Sequence, residues 1–313
     1  MSATTEMART KNHGYSYRAT LAASQKVNWR IEDIIGGDRR LDFTKRFMPE
    51  SLARVESLDF LSAAEKRTLN QIRGNAYLSI FGLVEEFILP YLMDYARPQL
   101  QGDDYRVRAL LQFAGEEAKH IHLFKLFSEE FEKGFGDKPA VIGPPEAIAQ
   151  VILAHDPLAV ALTILHIEWM TQRHYQESVR DDQELDPQFK SLLKHHWMEE
   201  AQHAKLDTLV VEALSEGRSN EKIAAAVEQY IEIGGFLDGG LRQQTQFDLD
   251  AFERATGRTL TAGERANFME LQTQANRWTY LGSGMTHPNF LATLESLAPE
   301  ARVRVEQIAP AFC

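Results

Sequence analysis

Apolar residues recur at intervals of three and four along four long stretches of this 313-residue chain, the period of helices that each bury one face. The first stretch opens at Ser62, an N-cap with Glu65 three positions on, runs to residue 95 and is stopped by Pro98. A polar loop holding Gly102 leads into the second, residues 104–133, closed by Gly134 and Gly136. Residues 134–157 form a Gly- and Pro-rich connection with Gly143-Pro144-Pro145 and room for one short helix before Asp156-Pro157. The third stretch runs from Pro157 to about Arg180, an acidic turn follows over residues 181–186, and the fourth runs from Pro187 to about Ser215. Two helical hairpins joined by a long crossover predict an all-α four-helix bundle over residues 62–215. Beyond Gly217 the pattern predicts shorter helices, interrupted at Gly234-Gly235 and Gly239-Gly240, with a last longer one over residues 261–280, all packing on the bundle. Residues 1–30 show no period and read as a flexible arm without chemistry, touching the body through Tyr15, Tyr17 and Trp29. One domain is expected for the whole chain.

The second and fourth helices carry the same short string, Glu116-Glu117-Ala118-Lys119-His120 and Glu199-Glu200-Ala201-Gln202-His203. Each contains Glu-x-x-His, and at about 100 degrees per residue a carboxylate and an imidazole three positions apart point the same way. A lone match of this kind is usually a surface ion pair or a helix cap. Here the other two helices each bring an acid set among apolar residues: Glu85 or Glu86 within the run 80–89, and Glu168 within 162–170. A bare carboxylate there would be costly to bury, and a metal ion removes the cost. One Glu from each of two helices with Glu-x-x-His from each of the other two is the ligand set of a ferritin-like di-iron or di-manganese bundle. Glu85 precedes Glu117 by 32 residues and Glu168 precedes Glu200 by 32, so each hairpin returns its acids to one height, which favours Glu85 over Glu86. Pro90 also deprives the carbonyl of Glu86 of its helical donor beside the site.

Composition narrows the partners. A net charge of -11, spread along the chain, argues against nucleic acid and anionic membrane. The single cysteine, Cys313, rules out a disulfide framework and a thiolate metal site, and suits a cytoplasmic setting. Any metal must therefore be held by nitrogen and oxygen. The first thirty residues carry Lys11, Arg18, Lys26 and Arg30 without an apolar core, and no later stretch reaches the roughly 18 uncharged apolar residues of a membrane span, so a soluble protein is expected.

One further residue extends the ligand set. His196 stands four before Glu200 and seven before His203, on the same helix face; by itself it could be a surface histidine like its neighbour His195. The string His196-Trp197-Met198-Glu199-Glu200-Ala201-Gln202-His203 resembles the helix that supplies a third histidine in the p-aminobenzoate N-oxygenase family of di-iron arylamine oxygenases. The resemblance covers about residues 62–215. It implies the ligands Glu85, Glu117, His120, Glu168, His196, Glu200 and His203, and outer acids Glu116 and Glu199 that hold the imidazole of the opposite helix. It further implies two iron ions (manganese being compatible with the same donors), O2 as co-substrate, an external electron donor that could be a protein, and a homodimer. The implied activity is oxygen transfer to the nitrogen of an amine, which a third neutral donor favours over attack on unactivated carbon. Phe81, Gly82, Phe113, Ile164, Leu165, Leu193 and Trp197, within a turn or so of the ligands, are candidate pocket lining, although helical spacing also makes them core. Gln172 and His174, one to two turns beyond Glu168, are candidate substrate contacts, although a polar helix end explains them as well.

Three other readings compete with N-oxygenation. The same site could hydroxylate or desaturate an apolar chain; the bundle could store iron as ferritins do; or the helices could be a metal-free interaction module.

Overall fold

The computed structural model describes residues 13–313, and the described residues contain helices and no strand. Three short helices come first: α1 (Tyr17–Ser24), α2 (Ile31–Ile34) and α3 (Glu50–Ala53). The long bundle helices are α4 (Ala63–Ala96), α5 (Asp104–Phe135), α7 (Pro157–Arg173) and α8 (Pro187–Ser215), with α6 (Pro145–Leu153) in the crossover. After them come α9 (Asn220–Thr256), α10 (Ala262–Arg277), α11 (Ser283–Met285), α12 (Pro288–Leu297) and α13 (Pro299–Ile308). The expected starts are built as the sequence chemistry requires. Ser62 and Glu65 form a reciprocal capping box on α4, while Asp103, Asp156 and Asp186 cap α5, α7 and α8 through their side chains, the last two ahead of Pro157 and Pro187. The turn of helix after α7, His174–Val179, widens to π geometry, so the third stretch ends where its pattern does.

Helix α4 pairs with α5 and α7 with α8, and the two hairpins close on each other through α5 and α8. Ion pairs His203–Glu116 and His120–Glu199 show α5 and α8 running antiparallel. Inside lie Phe47, Phe113, Phe127, Phe131 and Phe189, all sealed from solvent. Asn70 fixes the segment leading into α3 by accepting from the backbone N–H groups of Phe47 and Met48 and donating to the Met48 carbonyl. An 18-residue window within residues 63–99 has a mean hydropathy of 1.4, and 67% of that window is buried in the protein, the position of a core helix.

Two expectations fail. Helix α9 runs unbroken through Gly234-Gly235 and Gly239-Gly240. Each glycine costs a helix roughly 1 kcal/mol, but α9 packs against α4, α7 and α10 and buries Ile233, Leu241, Leu249 and Phe252, which holds the helix through all four glycines. The arm is the second. From residue 13 it is structured: Ser16 caps α1, which lies across α5 and α8, and Tyr17 and Trp29 pack onto the body as expected; residues 1–12 lie outside the described residues.

Contact between the later helices and α7 is close enough to be tested. The α-carbon of Gly284 lies against His166, and a Cβ there would overlap the ring. That ring cannot swing away, because Nε2 donates to the Tyr280 carbonyl and Nδ1 accepts from the Tyr230 hydroxyl. Burial, partly opposed by the carbonyl contact, pulls His166 down to about 4, so it is a neutral imidazole with both nitrogens engaged. Gly284→Ala is expected to lower unfolding free energy by about 1–3 kcal/mol, read as a reduced denaturant midpoint; an unchanged midpoint would contradict the tight contact.

Candidate metal centre

Four helices bring seven of the expected side chains to one interior place. Two groups of donor atoms, each within 4.8 Å of one another, are Glu85 with His120, His196 and Glu200, and Glu117 with Glu168, Glu200 and His203. All seven residues are buried. Glu200 stands between the groups: its Oε1 lies 2.8 Å from His196 Nε2 and 3.1 Å from His120 Nδ1, and its Oε2 lies 3.3 Å from His203 Nδ1. Of the two acids in the first helix, Glu85 turns inward, with Oε1 3.0 Å from His196 Nε2, while Glu86 is part-exposed and pairs with Lys125 at 3.3 Å.

Hydrogen bonds around the cluster assign the ring nitrogens. A carboxylate only accepts, so His203 donates from Nε2 to Glu116 Oε2 at 2.9 Å, and His120 donates from Nε2 to Glu199 Oε2 at 2.7 Å. In the neutral tautomer Nδ1 of each ring is then a lone-pair donor aimed at the centre. Yet His203 Nδ1 faces Glu117 Oε1 at 2.9 Å and His120 Nδ1 faces Glu200 Oε1 at 3.1 Å, acceptor against acceptor. Buried atoms of Glu85, Glu117, His120, Glu168, Glu200 and His203 in this space lack hydrogen-bond partners. Such an arrangement calls for positive charge between the atoms, as protons or as metal cations.

Without cations the acids cannot all ionise. Burial, reinforced by the charge of Glu117, pushes Glu85 up to about 8. Burial and Glu200 raise Glu117, and hold Glu168 well above the usual carboxyl range. Burial works against ionising Glu200 too, but the imidazoles of His196 and His203 outweigh it and keep this carboxyl well below that range. Burial likewise opposes charge on His120 and His203, and the surrounding glutamates overcome it, raising both well above an ordinary imidazole. The donor set is therefore two nitrogen- and oxygen-lined positions sharing one carboxylate, and it fits two divalent ions of the carboxylate- and imidazole-binding kind.

Several neighbours had no sequence signal. Ser24 of α1 donates to Glu116 Oε1, as does the Gln112 amide at 2.9 Å. Lys119 pairs with Glu199 and lies 3.6 Å over the Trp29 ring, which stacks parallel to His120 at 5.9 Å. The arm expected to carry no chemistry thus supports both outer acids. Asp207, one turn beyond His203, is sealed from solvent with both carboxyl oxygens unpartnered, and burial holds it well above the usual range. Its spacing from Glu200 and His203 on one helix face was the available signal. Ser24→Ala should leave Glu116 one donor short and weaken metal retention by roughly 10-fold, measured by competition with a chelator; unchanged retention would mean the arm does not support the site.

The expected lining residues are packed as core. Phe113 stacks on His203 at 3.8 Å, Phe81 meets His196 edge-on at 5.6 Å, and Trp197 stacks on Tyr175 at 4.4 Å. Ile164, Leu165 and Leu193 are buried, and a Cβ at Gly82 would touch only Phe124, at 3.7 Å. His174 is fixed between the Tyr77 hydroxyl and Ser283 Oγ, each at 3.0 Å, and Gln172 donates to the Trp197 carbonyl.

Among solved structures, an R2-like ligand-binding oxidase variant with an anaerobically reconstituted Mn/Fe cofactor aligns at 14% identity and a TM-score of 0.47, covering 86% of this chain and 93% of that one. Another variant of that oxidase, with an aerobically reconstituted Fe/Fe cofactor, aligns at 15% identity and a TM-score of 0.43, covering 86% and 94%. No curated protein matches by sequence. The family model described as P-aminobenzoate N-oxygenase AurF matches residues 6–229, well over half of the chain and all four helices of the centre. The protein therefore belongs to the p-aminobenzoate N-oxygenase AurF family and is a di-metal oxygenase.

Proposed function

We propose that the protein is a di-iron N-oxygenase: it transfers one atom of O2 to the nitrogen of an arylamine-type small molecule, with two electrons from an external donor and two protons reducing the other atom to water. The observation that carries this reading is His196, whose Nε2 faces both Glu85 and Glu200 and so adds a third imidazole to the six donors of a simpler carboxylate bundle. When bound, iron supplies the activation of O2. Glu85, His120, His196 and Glu200 would hold one ion, and Glu117, Glu168, Glu200 and His203 the other.

The chain's own residues do the rest. Glu199 and Glu116 keep the His120 and His203 rings turned, with the protonated nitrogen outward and the bare one inward. Phe113, Phe81 and Phe124 cover three sides of the imidazoles with apolar surface, which excludes bulk water from the oxygen chemistry. A neutral third imidazole fills a donor position without adding charge, which suits oxygen transfer to an electron-rich nitrogen better than abstraction from an aliphatic carbon. The test is to load the protein with iron under anoxic conditions, reduce it, and add isotopically labelled O2 with substituted anilines or with fatty chains. The expected product is an N-hydroxyl, nitroso or nitro compound carrying the label. Label on carbon, or only in water, would contradict N-oxygenation.

A further inference from the structure

The two ion positions differ in kind. One is bounded by two imidazoles, His120 and His196, with Glu85 and Glu200; the other has one imidazole, His203, with Glu117, Glu168 and Glu200. Glu117 Oε2 lies 4.0 Å from His120 Nδ1, so Glu117 can lean toward either ion. The count of nitrogens is the same however it leans: two on one side and one on the other. The surroundings differ in the same sense. Behind His120 stands Glu199, already paired with the Lys119 ammonium, whereas behind His203 stands Glu116, which among the described residues receives, besides that imidazole, only the neutral Ser24 hydroxyl and Gln112 amide. The two-imidazole side thus has an additional positive charge close by.

We infer that these positions sort metal ions, the His120/His196 position selecting iron over manganese and the His203 position admitting manganese. This rests on the di-metal reading above. Imidazole favours iron among first-row ions, while carboxylate oxygen suits manganese, and at any one set of donors iron(II) binds more tightly than manganese(II). Lys119, paired with Glu199, lowers the electrostatic pull on iron(II) and manganese(II) alike near His120, so the nitrogen count sets the preference there. At the other position the carboxylates dominate and discriminate less. Supplied with both ions, the chain should become a mixed centre of defined order.

The experiment uses the full chain, stripped of metal with a chelator and then given equimolar iron(II) and manganese(II) without oxygen. Anomalous diffraction at the two metal edges reads each position separately, and manganese electron paramagnetic resonance reads the same sorting in solution. Manganese is expected at the Glu117/Glu168/His203 position in excess over the other by roughly threefold or more. An even or reversed distribution overturns the inference. In His196→Gln, which equalises the nitrogen count, the two positions should approach parity; an unchanged ratio also overturns it. If that variant loses helical content, His203→Gln provides the converse, since removal of the second position's imidazole should widen the ratio, and a ratio that narrows counts against the inference. Failure of both ions to bind the unaltered chain would instead refute the metal reading itself.

Discussion

Glu200→Ala is expected to empty both metal positions at once. This carboxylate alone contributes to each donor group, one oxygen facing His120 and His196 and the other His203. Loss of a partner that merely orients a ligand costs about 10- to 100-fold in metal affinity, so loss of a shared ligand should exceed about 100-fold and leave no measurable turnover. Elemental analysis of the purified variant, with its helical content checked by circular dichroism, should find well under one ion per chain. Glu86→Ala is the matched control, because Glu86 pairs with Lys125 at the surface and should retain full metal content. Two ions in the Glu200 variant would remove this carboxylate from the centre.

The second large effect is on stability. In the metal-free protein Glu85 is pushed up to about 8, and Glu117 and Glu168 are raised as well, whereas in an unfolded chain such acids ionise near about 4.3. Between those limits the folded state holds protons that the unfolded chain has lost, so its stability falls as pH rises. His120 and His203, also raised, act in the same direction: their contribution is complete below an ordinary imidazole's range and disappears as pH climbs through their folded values. Glu200 acts oppositely, but its gain is already complete above about 4.3 and is constant from pH 6 to 8. Each pKa unit corresponds to about 1.4 kcal/mol. The stripped protein should therefore lose several kcal/mol across that interval, on the order of what a few pKa units imply. Metal binding replaces those protons, so the gap in melting temperature between loaded and stripped protein should widen from pH 6 to pH 8. A gap that stays constant or narrows would mean that these acids do not exchange protons for metal.

What could be read from sequence followed from periodicity and from motifs that repeat. Helical starts were legible because Ser62, Asp103, Asp156 and Asp186 cap through their own side chains, a local effect. The candidate centre was legible because helical spacing places Glu117 with His120, and Glu200 with His196 and His203, on one face before any tertiary contact is known. Tertiary packing decided the rest. Gly234 to Gly240 read as breaks because local propensity says so, and the packing of α9 against α4, α7 and α10 carries the helix through them. Ser24, Trp29 and Lys119 reach the outer acids across the fold, Ser24 from 92 residues away, a distance over which no periodic signal extends. Glu85 was separated from Glu86 by hairpin symmetry; the inward face of α4 brings Glu85 to His196, while Glu86 pairs with Lys125.

Cations are expected where acceptor now faces acceptor, between His203 Nδ1 and Glu117 on one side and His120 Nδ1 and Glu200 on the other. A crystal structure of the iron-loaded protein with anomalous data at the iron edge tests this directly. The expected map shows two peaks per chain sharing Glu200, one against Glu85, His120 and His196 and one against Glu117, Glu168 and His203. A loaded crystal with no peak among these side chains, or with iron bound only at surface acids, would contradict it.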